Sequence, residues 1–286
     1  MPKTIANKLL TILQISPLLS VLTFFFLLPI AVILMVSFWD YNEFSLLPDF
    51  VLTNYFELFT SSVTYKIYLS TFKFALLTWL FTFTIGFTVA YYLAFHVRST
   101  LWQTVFFLLC TIPFLTSNLI RMIAWIPVLG RHGLVNDFLL NLGLIDAPLE
   151  WLLFSDFAVV LAFVHLYTLF MVVPIFNSMM KIDRSLIEAA YDAGATGRQV
   201  LTQIILPLCK PGIVIGSIFV IALVMGDFVT VQTMSGGQSA SVGVAMNNKR
   251  ALLQYPAAAA DAVILLVIVL LMIAVLMRIV NIRKEL

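Results

Sequence analysis

Six stretches of this chain run for about 20 residues or more with at most one charged side chain each. They are Ile15–Phe38, Ser70–Phe95, Leu101–Trp125, Phe157–Met180, Pro211–Thr230 and Ala262–Val280. A helix needs about 20 apolar residues to cross the roughly 30 Å hydrocarbon core of a bilayer. Within that core each backbone N–H and C=O must be satisfied inside the segment itself, which selects helices or a closed barrel. Runs this long and this apolar select helices. The reading is an all-α integral membrane protein, a bundle of six transmembrane helices. Composition leaves little alternative: 62% of the 286 residues are hydrophobic and 10% charged, against roughly 45–50% and about 25% in soluble domains. A water-soluble globule could not bury that much apolar surface.

The net charge of +2 gives no electrostatic footprint for nucleic acid, so lipid is the partner that composition implies. Cys110 and Cys209 lie in or beside different apolar runs without metal-ligand spacing, and packing is the reading for both. The first apolar run follows Lys3 and Lys8, as a secretory signal would. It is longer than a signal's apolar region and ends in Ser37-Phe38-Trp39-Asp40 rather than a small-x-small cleavage site. It is therefore expected to be a retained span. An excess of Lys and Arg marks the cytoplasmic side. With the N-terminus inside, that side holds Lys3, Lys8, Arg98, Lys181, Arg184, Arg198, Lys210, Arg278, Arg283 and Lys284. The other side holds Lys66, Lys73, Arg121, Arg131, Lys249 and Arg250. Both termini are expected to be cytoplasmic.

Residues 1–286 read as one transmembrane domain with no soluble domain attached. The longer external segments are Tyr41–Leu69 and Ile126–Asp156. The second carries Leu134, Val135, Phe138, Leu139 and Leu142 at helical spacing, predicting a short amphipathic helix over about 133–144 on the outer face. Met234-Ser235-Gly236-Gly237-Gln238-Ser239 is loop chemistry that could re-enter the protein body.

The cytoplasmic loop over about 181–210 has more structure than a connector requires. Asp183 or Ser185 can cap a first helix, and Ser185-x-x-Glu188 fits a capping box. Gly194 suits the left-handed position that ends such a helix. Thr196-x-x-Gln199 is a second capping box, opening a helix that Pro207 is expected to break before Pro211 starts span five. By composition alone this could be an Ala-faced connector, with Glu188 serving only as a cap. The full spacing is more specific. Glu188-Ala189-Ala190, three residues, Gly194, nine residues, then Ile204-Ile205-Leu206-Pro207 resembles the EAA loop of binding-protein-dependent, type I ABC importer permeases. That resemblance implies a coupling helix docked on an ATPase subunit, with Glu188, Ala189, Ala190, Asp192 and Gly194 as the coupling residues.

A second resemblance lies in Pro113-Phe114-Leu115-Thr116-Ser117-Asn118-Leu119-Ile120-Arg121 with Ala124-Trp125, continued by Gly133-Leu134-Val135-Asn136 through Asp146. These residues are similar to the spermidine/putrescine branch of the same family. That branch usually carries Trp where Leu115 stands, and it is shared with transporters of ferric iron and opine-type compounds, so the solute stays open. The resemblance implies a bacterial inner-membrane permease forming half of a translocation pathway, for a polyamine or another organic cation. It further implies a second homologous permease, an ATPase dimer and a periplasmic solute-binding protein as partners. ATP and Mg would be held by the ATPase, and this chain would need no cofactor.

No Gly-x-x-x-x-Gly-Lys-Ser/Thr loop occurs in the sequence, and His96, His132 and His165 have no partners at ligand or triad spacing. His165 reads as a hydrogen-bonded core residue. The chain is therefore expected not to be an enzyme. Charges within spans are costly and mark pathways or pairs. Asp227 with Phe228 on span five, and Thr116, Asn118, Arg121 and Trp125 beyond the Pro113 break, are the candidate pathway residues. Asp227 could instead pair structurally with Lys73 or Arg121, and Arg121 could snorkel to the interface. Two rival classes remain at this stage. A secondary transporter would need several intramembrane acids and an inverted repeat, where the chain offers Asp227, possibly Asp261, and no evident repeat. The other is a membrane-anchored assembly subunit.

Overall fold

The computed structural model describes residues 14–42 and 45–279. Lys3, Lys8, Arg283 and Lys284, used above for orientation, lie outside the described residues, as does Val280. In chain order, α1 (Gln14–Val36) leads into a small antiparallel hairpin, β1 (Asp40–Tyr41) and β2 (Leu46–Leu47), with Asp40 opposite Leu47. Then come α2 (Thr53–Thr60), α3 (Ser62–His96), α4 (Thr100–Leu115), α5 (Asn118–Ile123), α6 (Ile126–Leu129) and α7 (Leu134–Asn141). The chain continues through α8 (Asp156–Met179), α9 (Arg184–Asp192), α10 (Gly197–Gly226), α11 (Val229–Met234), α12 (Val242–Ala251) and α13 (Tyr255–Ile279). Helices α1, α3, α8, α10 and α13 are each long and apolar enough to cross a membrane. A sixth span is a bent pair, Thr100–Leu115 followed by Asn118–Asn141 at 93°.

Five of the expected boundaries need correction. Span three is not a straight helix to Trp125. Pro113 sits in a 3-10 turn, Ile112–Leu115, and Thr116 is extended, so the chain turns sharply before α5. Span five does not begin at Pro211, and Pro207 does not break the helix before it, because α10 runs unbroken from Gly197. A π turn at Leu201–Ile205 widens the helix just where the Pro207 ring would press on the Gln203 carbonyl, and so absorbs the missing donor. At its far end α10 stops at Gly226, which leaves Asp227 in extended backbone (φ −86, ψ 110) instead of inside the span. Spans two and six also start earlier than expected, at Ser62 and Tyr255.

The described residues fall into two compact units, one built from those within 14–64 and 246–266 and the other from those within 65–245 and 267–279. In the first, buried Asn54 donates to the carbonyls of Ser37 (3.2 Å) and Trp39 (2.9 Å), and the Ser37 hydroxyl meets the Tyr55 hydroxyl at 2.6 Å. These bonds satisfy carbonyls left open at the end of α1. Lys249 and the buried Asp261 form an ion pair at 2.6 Å.

In the second unit α8 is central and α10 crosses it closely. A Cβ on Gly212 would lie 2.3 Å from the Pro174 carbonyl oxygen and 2.5 Å from Ser178 Oγ, and one on Gly216 would lie 2.7 Å from Met171 Sδ. Gly86 of α3 approaches Met171 in the same way, at 2.9 Å. Gly212-x-x-x-Gly216 is thus a small-residue seam, which membrane helices use because lipid supplies no hydrophobic drive between them. Trp79 Nε1 on α3 donates to Ser217 Oγ on α10 at 2.8 Å, adding a polar tie. Buried Thr82 satisfies its own hydroxyl on the Thr78 carbonyl, 2.8 Å away.

Gly212→Val is expected to force the two helices apart at a backbone contact, costing about 1–3 kcal/mol or more. Thermal melting of the detergent-purified protein should show a lower midpoint, while Gly197→Ala, whose added Cβ meets only Tyr191 OH at 3.6 Å, should melt like wild type.

Candidate functional site

Two regions carry the polar chemistry of the second unit, at opposite ends of α10. The first is the loop between α8 and α10. Asp183 caps α9, its side chain accepting the Ser185 N–H at 3.0 Å. Ser185 lies inside the helix, so the Ser185–Glu188 box does not form and Glu188 is no cap. The C-terminus closes as a Schellman motif. Ala195 N–H donates to the Ala190 carbonyl and Gly194 N–H to the Tyr191 carbonyl, both at 2.9 Å, with Gly194 at φ +86. The second capping box is present in full. Thr196 N–H donates to Gln199 Oε1 at 2.8 Å, and Gln199 N–H to Thr196 Oγ1 at 3.4 Å.

Arg184 ties α9 to the end of α3 through the Ala94 carbonyl, 3.3 Å away. Ile187 and Ala190 are partly covered, whereas Leu186, Glu188, Ala189, Asp192 and Gly194 are exposed. The loop is therefore locked at both ends and open along one face.

The second region lies where α10 ends. A cavity of about 500 Å³ is lined by Asn118, Met122, Tyr167, Leu223, Asp227 and Thr230, among others, and among the described residues Asp227 is the one charged side chain in its wall. The break at Gly226 turns the Asp227 carboxylate toward three donors. Tyr167 OH donates to Oδ2 at 2.8 Å, Thr230 N–H to Oδ1 at 2.9 Å, and Thr230 OH to Oδ2 at 2.6 Å. Neither alternative pairing of Asp227 occurs among the described residues: Lys73 is bound to Asp156 at 2.5 Å, and Arg121 bonds to Asn118. Ser239 OH also donates to Asp156, anchoring the loop after α11.

Arg121 does not snorkel. It is 7% exposed, donates from Nη2 to Asn118 Oδ1, and lies with Cζ 4.8 Å from the Phe114 ring centroid. Its Nε and Nη1 are buried without an acceptor among the described residues. Of the predicted pathway residues, Asn118 and Asp227 share the cavity wall and Arg121 backs it through Asn118. Thr116 turns its hydroxyl to the Pro113 carbonyl at 2.7 Å. Trp125 donates to His165 Nδ1 at 3.0 Å, so His165 is hydrogen-bonded as expected, but it is exposed and not a core residue. Phe228 packs beside Gly243.

Sequence reasoning missed Tyr167 and Thr230. The Asp227-x-x-Thr230 spacing was the available signal for the second, since it matches a side chain capping the turn that follows. Tyr167 was hidden in an apolar run.

Over residues 82–283 the chain matches the family described as "Binding-protein-dependent transport system inner membrane component". The chain belongs to this family. It is 34% identical over 223 residues to the spermidine/putrescine transport system permease protein PotB of Salmonella typhimurium (strain SL1344), covering 78% of this chain and 76% of that one. The corresponding protein of Haemophilus influenzae is 31% identical over 244 residues, with 84% and 83% covered. Among solved structures, a bacterial ABC transporter involved in the import of the acidic polysaccharide alginate superposes with a TM-score of 0.78 at 20% identity, covering 98% of this chain and 99% of that one. At that identity the likeness shows the fold, which is that of an ABC importer permease. This chain is accordingly a multi-pass inner-membrane permease subunit and not the catalytic component of its transporter.

In this permease the cap at Asp183 gives a pH test. The Ser185 backbone N–H, and then its hydroxyl, hold the Asp183 carboxyl below the ordinary carboxylate range. A lowered value means the cap's stabilisation is complete above the ordinary value of about 4 and is lost as pH falls through the lowered one. Amide-exchange protection of residues 184–188 should be flat from neutral pH down to about 5 and fall below about 4. Asp183→Asn, which can still cap, should remove that pH dependence.

Proposed function

We propose that this permease forms half of the translocation pathway for a small organic cation of the polyamine type, with Asp227 as the cation's ligand in the membrane. The observation that carries the reading is a carboxylate that, among the described residues, is the one charge in the wall of its cavity. It is held in place by hydroxyl and N–H donors, not by a counter-ion. Three of its four lone-pair positions are occupied by those donors, leaving room for one N–H of an ammonium ligand. Such a site binds weakly enough to release its cargo, as a pathway requires. The similarity to spermidine/putrescine permeases supports the same solute class.

A second homologous permease completes the pathway, and a periplasmic solute-binding protein delivers the solute. Two copies of an ATPase holding ATP and Mg dock from the cytoplasm, where both termini of this chain also lie. The whole chain acts as one transmembrane permease domain. Helix α9 is the coupling element. Glu188 and Asp192 offer exposed charge to basic groups of the ATPase, Ala189 and Ala190 permit close approach, and Gly194 fixes the exit geometry.

Two measurements test these assignments. Asp227→Asn should lower spermidine uptake at least tenfold in vesicles supplied with the binding protein, while the subunit still co-purifies with its ATPase. Unchanged uptake would refute the cation site. Gly194→Val puts a β-branched residue at φ > 0, at a cost on the order of 1–3 kcal/mol, and combined with Glu188→Ala it should abolish substrate-stimulated ATP hydrolysis with the protein still in the membrane. Normal stimulation in the double variant would sink the coupling role.

A further inference from the structure

Below the Asp227 cavity, toward the coupling-loop ends of the helices, lie three aromatic rings from three different helices. Two of them sit about one helical turn from a residue of the cavity wall, and the third lies just before the chain break that leads to one. Phe170 follows Tyr167 by three residues on α8, Phe219 precedes Leu223 by four on α10, and Phe114 precedes Asn118 by four at the end of α4. Because residues three or four apart share a helix face, the rings of α8 and α10 continue the cavity's own face. The opposed chain directions put all three at one level. They touch: the Phe114 and Phe170 centroids are 5.0 Å apart in a T-shaped pair, and those of Phe170 and Phe219 are 6.1 Å apart. Phe170 is also 6.2 Å from the Tyr167 ring, whose hydroxyl holds Asp227. Phe219 is 47% exposed, and Phe114 and Phe170 are partly so.

We propose that Phe114, Phe170 and Phe219 form a second cation subsite, one level beyond Asp227 on the route toward the coupling loop, for an extended ammonium ligand with more than one charge. The inference rests on reading Asp227 as a cation ligand. The trio already faces a cation, since the Arg121 guanidinium lies 4.8 Å from the centre of Phe114. Ring quadrupoles attract positive charge, and Arg121 occupies the Phe114 side. Its like charge steers a mobile ammonium to the Phe219 side of Phe170 and keeps the subsite shallow, so that a bound cation can leave. Phe219 and Asp227 are eight residues apart, about 12 Å along the helix direction. That spacing suits a flexible chain with one ammonium at the carboxylate, methylenes along Leu223 and Met122, and a second ammonium on the rings.

Progressive fluorination of Phe219 tests this, because it weakens the ring quadrupole while nearly preserving shape. Mono-, di- and trifluorophenylalanine are placed at position 219 of the complete transporter, reconstituted in proteoliposomes, and spermidine uptake is measured with saturating loaded binding protein. The uptake rate should fall stepwise with each fluorine, about 3- to 10-fold in all, with Phe219→Tyr staying near wild type and Phe219→Leu at or below the trifluoro variant. A flat response to fluorine, with Asp227→Asn still defective, overturns the aromatic subsite alone. A flat response with Asp227→Asn also unimpaired removes the Asp227 reading as well.

Discussion

The crossing of α8 over α10 rests on the absence of two side chains. A Cβ at Gly212 would lie 2.3 Å from the Pro174 carbonyl oxygen, a distance backbone packing forbids, and one at Gly216 would lie 2.7 Å from Met171 Sδ and 3.2 Å from Met171 Cα. In lipid such packing, together with ties such as Trp79 to Ser217, must do what hydrophobic collapse does in water. Both polar regions of the second unit hang from this crossing. Tyr167 is carried by α8, Asp227 stands at the end of α10, and α9 lies in the loop joining the two helices. A shift of α10 against α8 moves the carboxylate relative to its tyrosine partner.

The continuity of α10 gives that geometry mechanical meaning. The helix has 30 residues from Gly197 to Gly226, about 45 Å at 1.5 Å per residue. Its start is clamped by the Thr196–Gln199 box and its end releases Asp227 into extended backbone. Within the proposed function, a displacement of the coupling loop reaches the Asp227 cavity through one rod. The π turn at Leu201–Ile205 is what keeps the rod whole past Pro207.

Charge placement separates the ion-paired acids from Asp227. Asp156 is paired with Lys73 at a largely exposed position, and the buried Asp261 with Lys249, the second pair offsetting the cost of burying Asp261. Among the described residues Asp227 is held by neutral donors, which within the proposed function leaves its charge to a ligand. The buried Arg121, stacked on Phe114 and bonded to Asn118, orients the cavity wall from behind.

The sequence by itself determined the membrane solvent, the number of apolar crossings and the loop chemistry at Gly194 and Thr196-x-x-Gln199. Those properties are written in local composition and in backbone preferences that neighbours along the chain enforce. It also singled out Asp227, since a carboxylate in an apolar run is rare whatever the fold. Only the tertiary structure decided that Pro207 is tolerated, that span three turns by 93°, and that Asp183 and not Ser185 caps α9. Each is a contest between near-equal local options that packing settles. Tertiary structure alone also chose the partners: Lys73 goes to Asp156, far from Asp227, and Tyr167 comes to Asp227 from 60 residues away. Pairings at such separations depend on where helices cross, and that was set by glycines whose meaning lies in what stands opposite them.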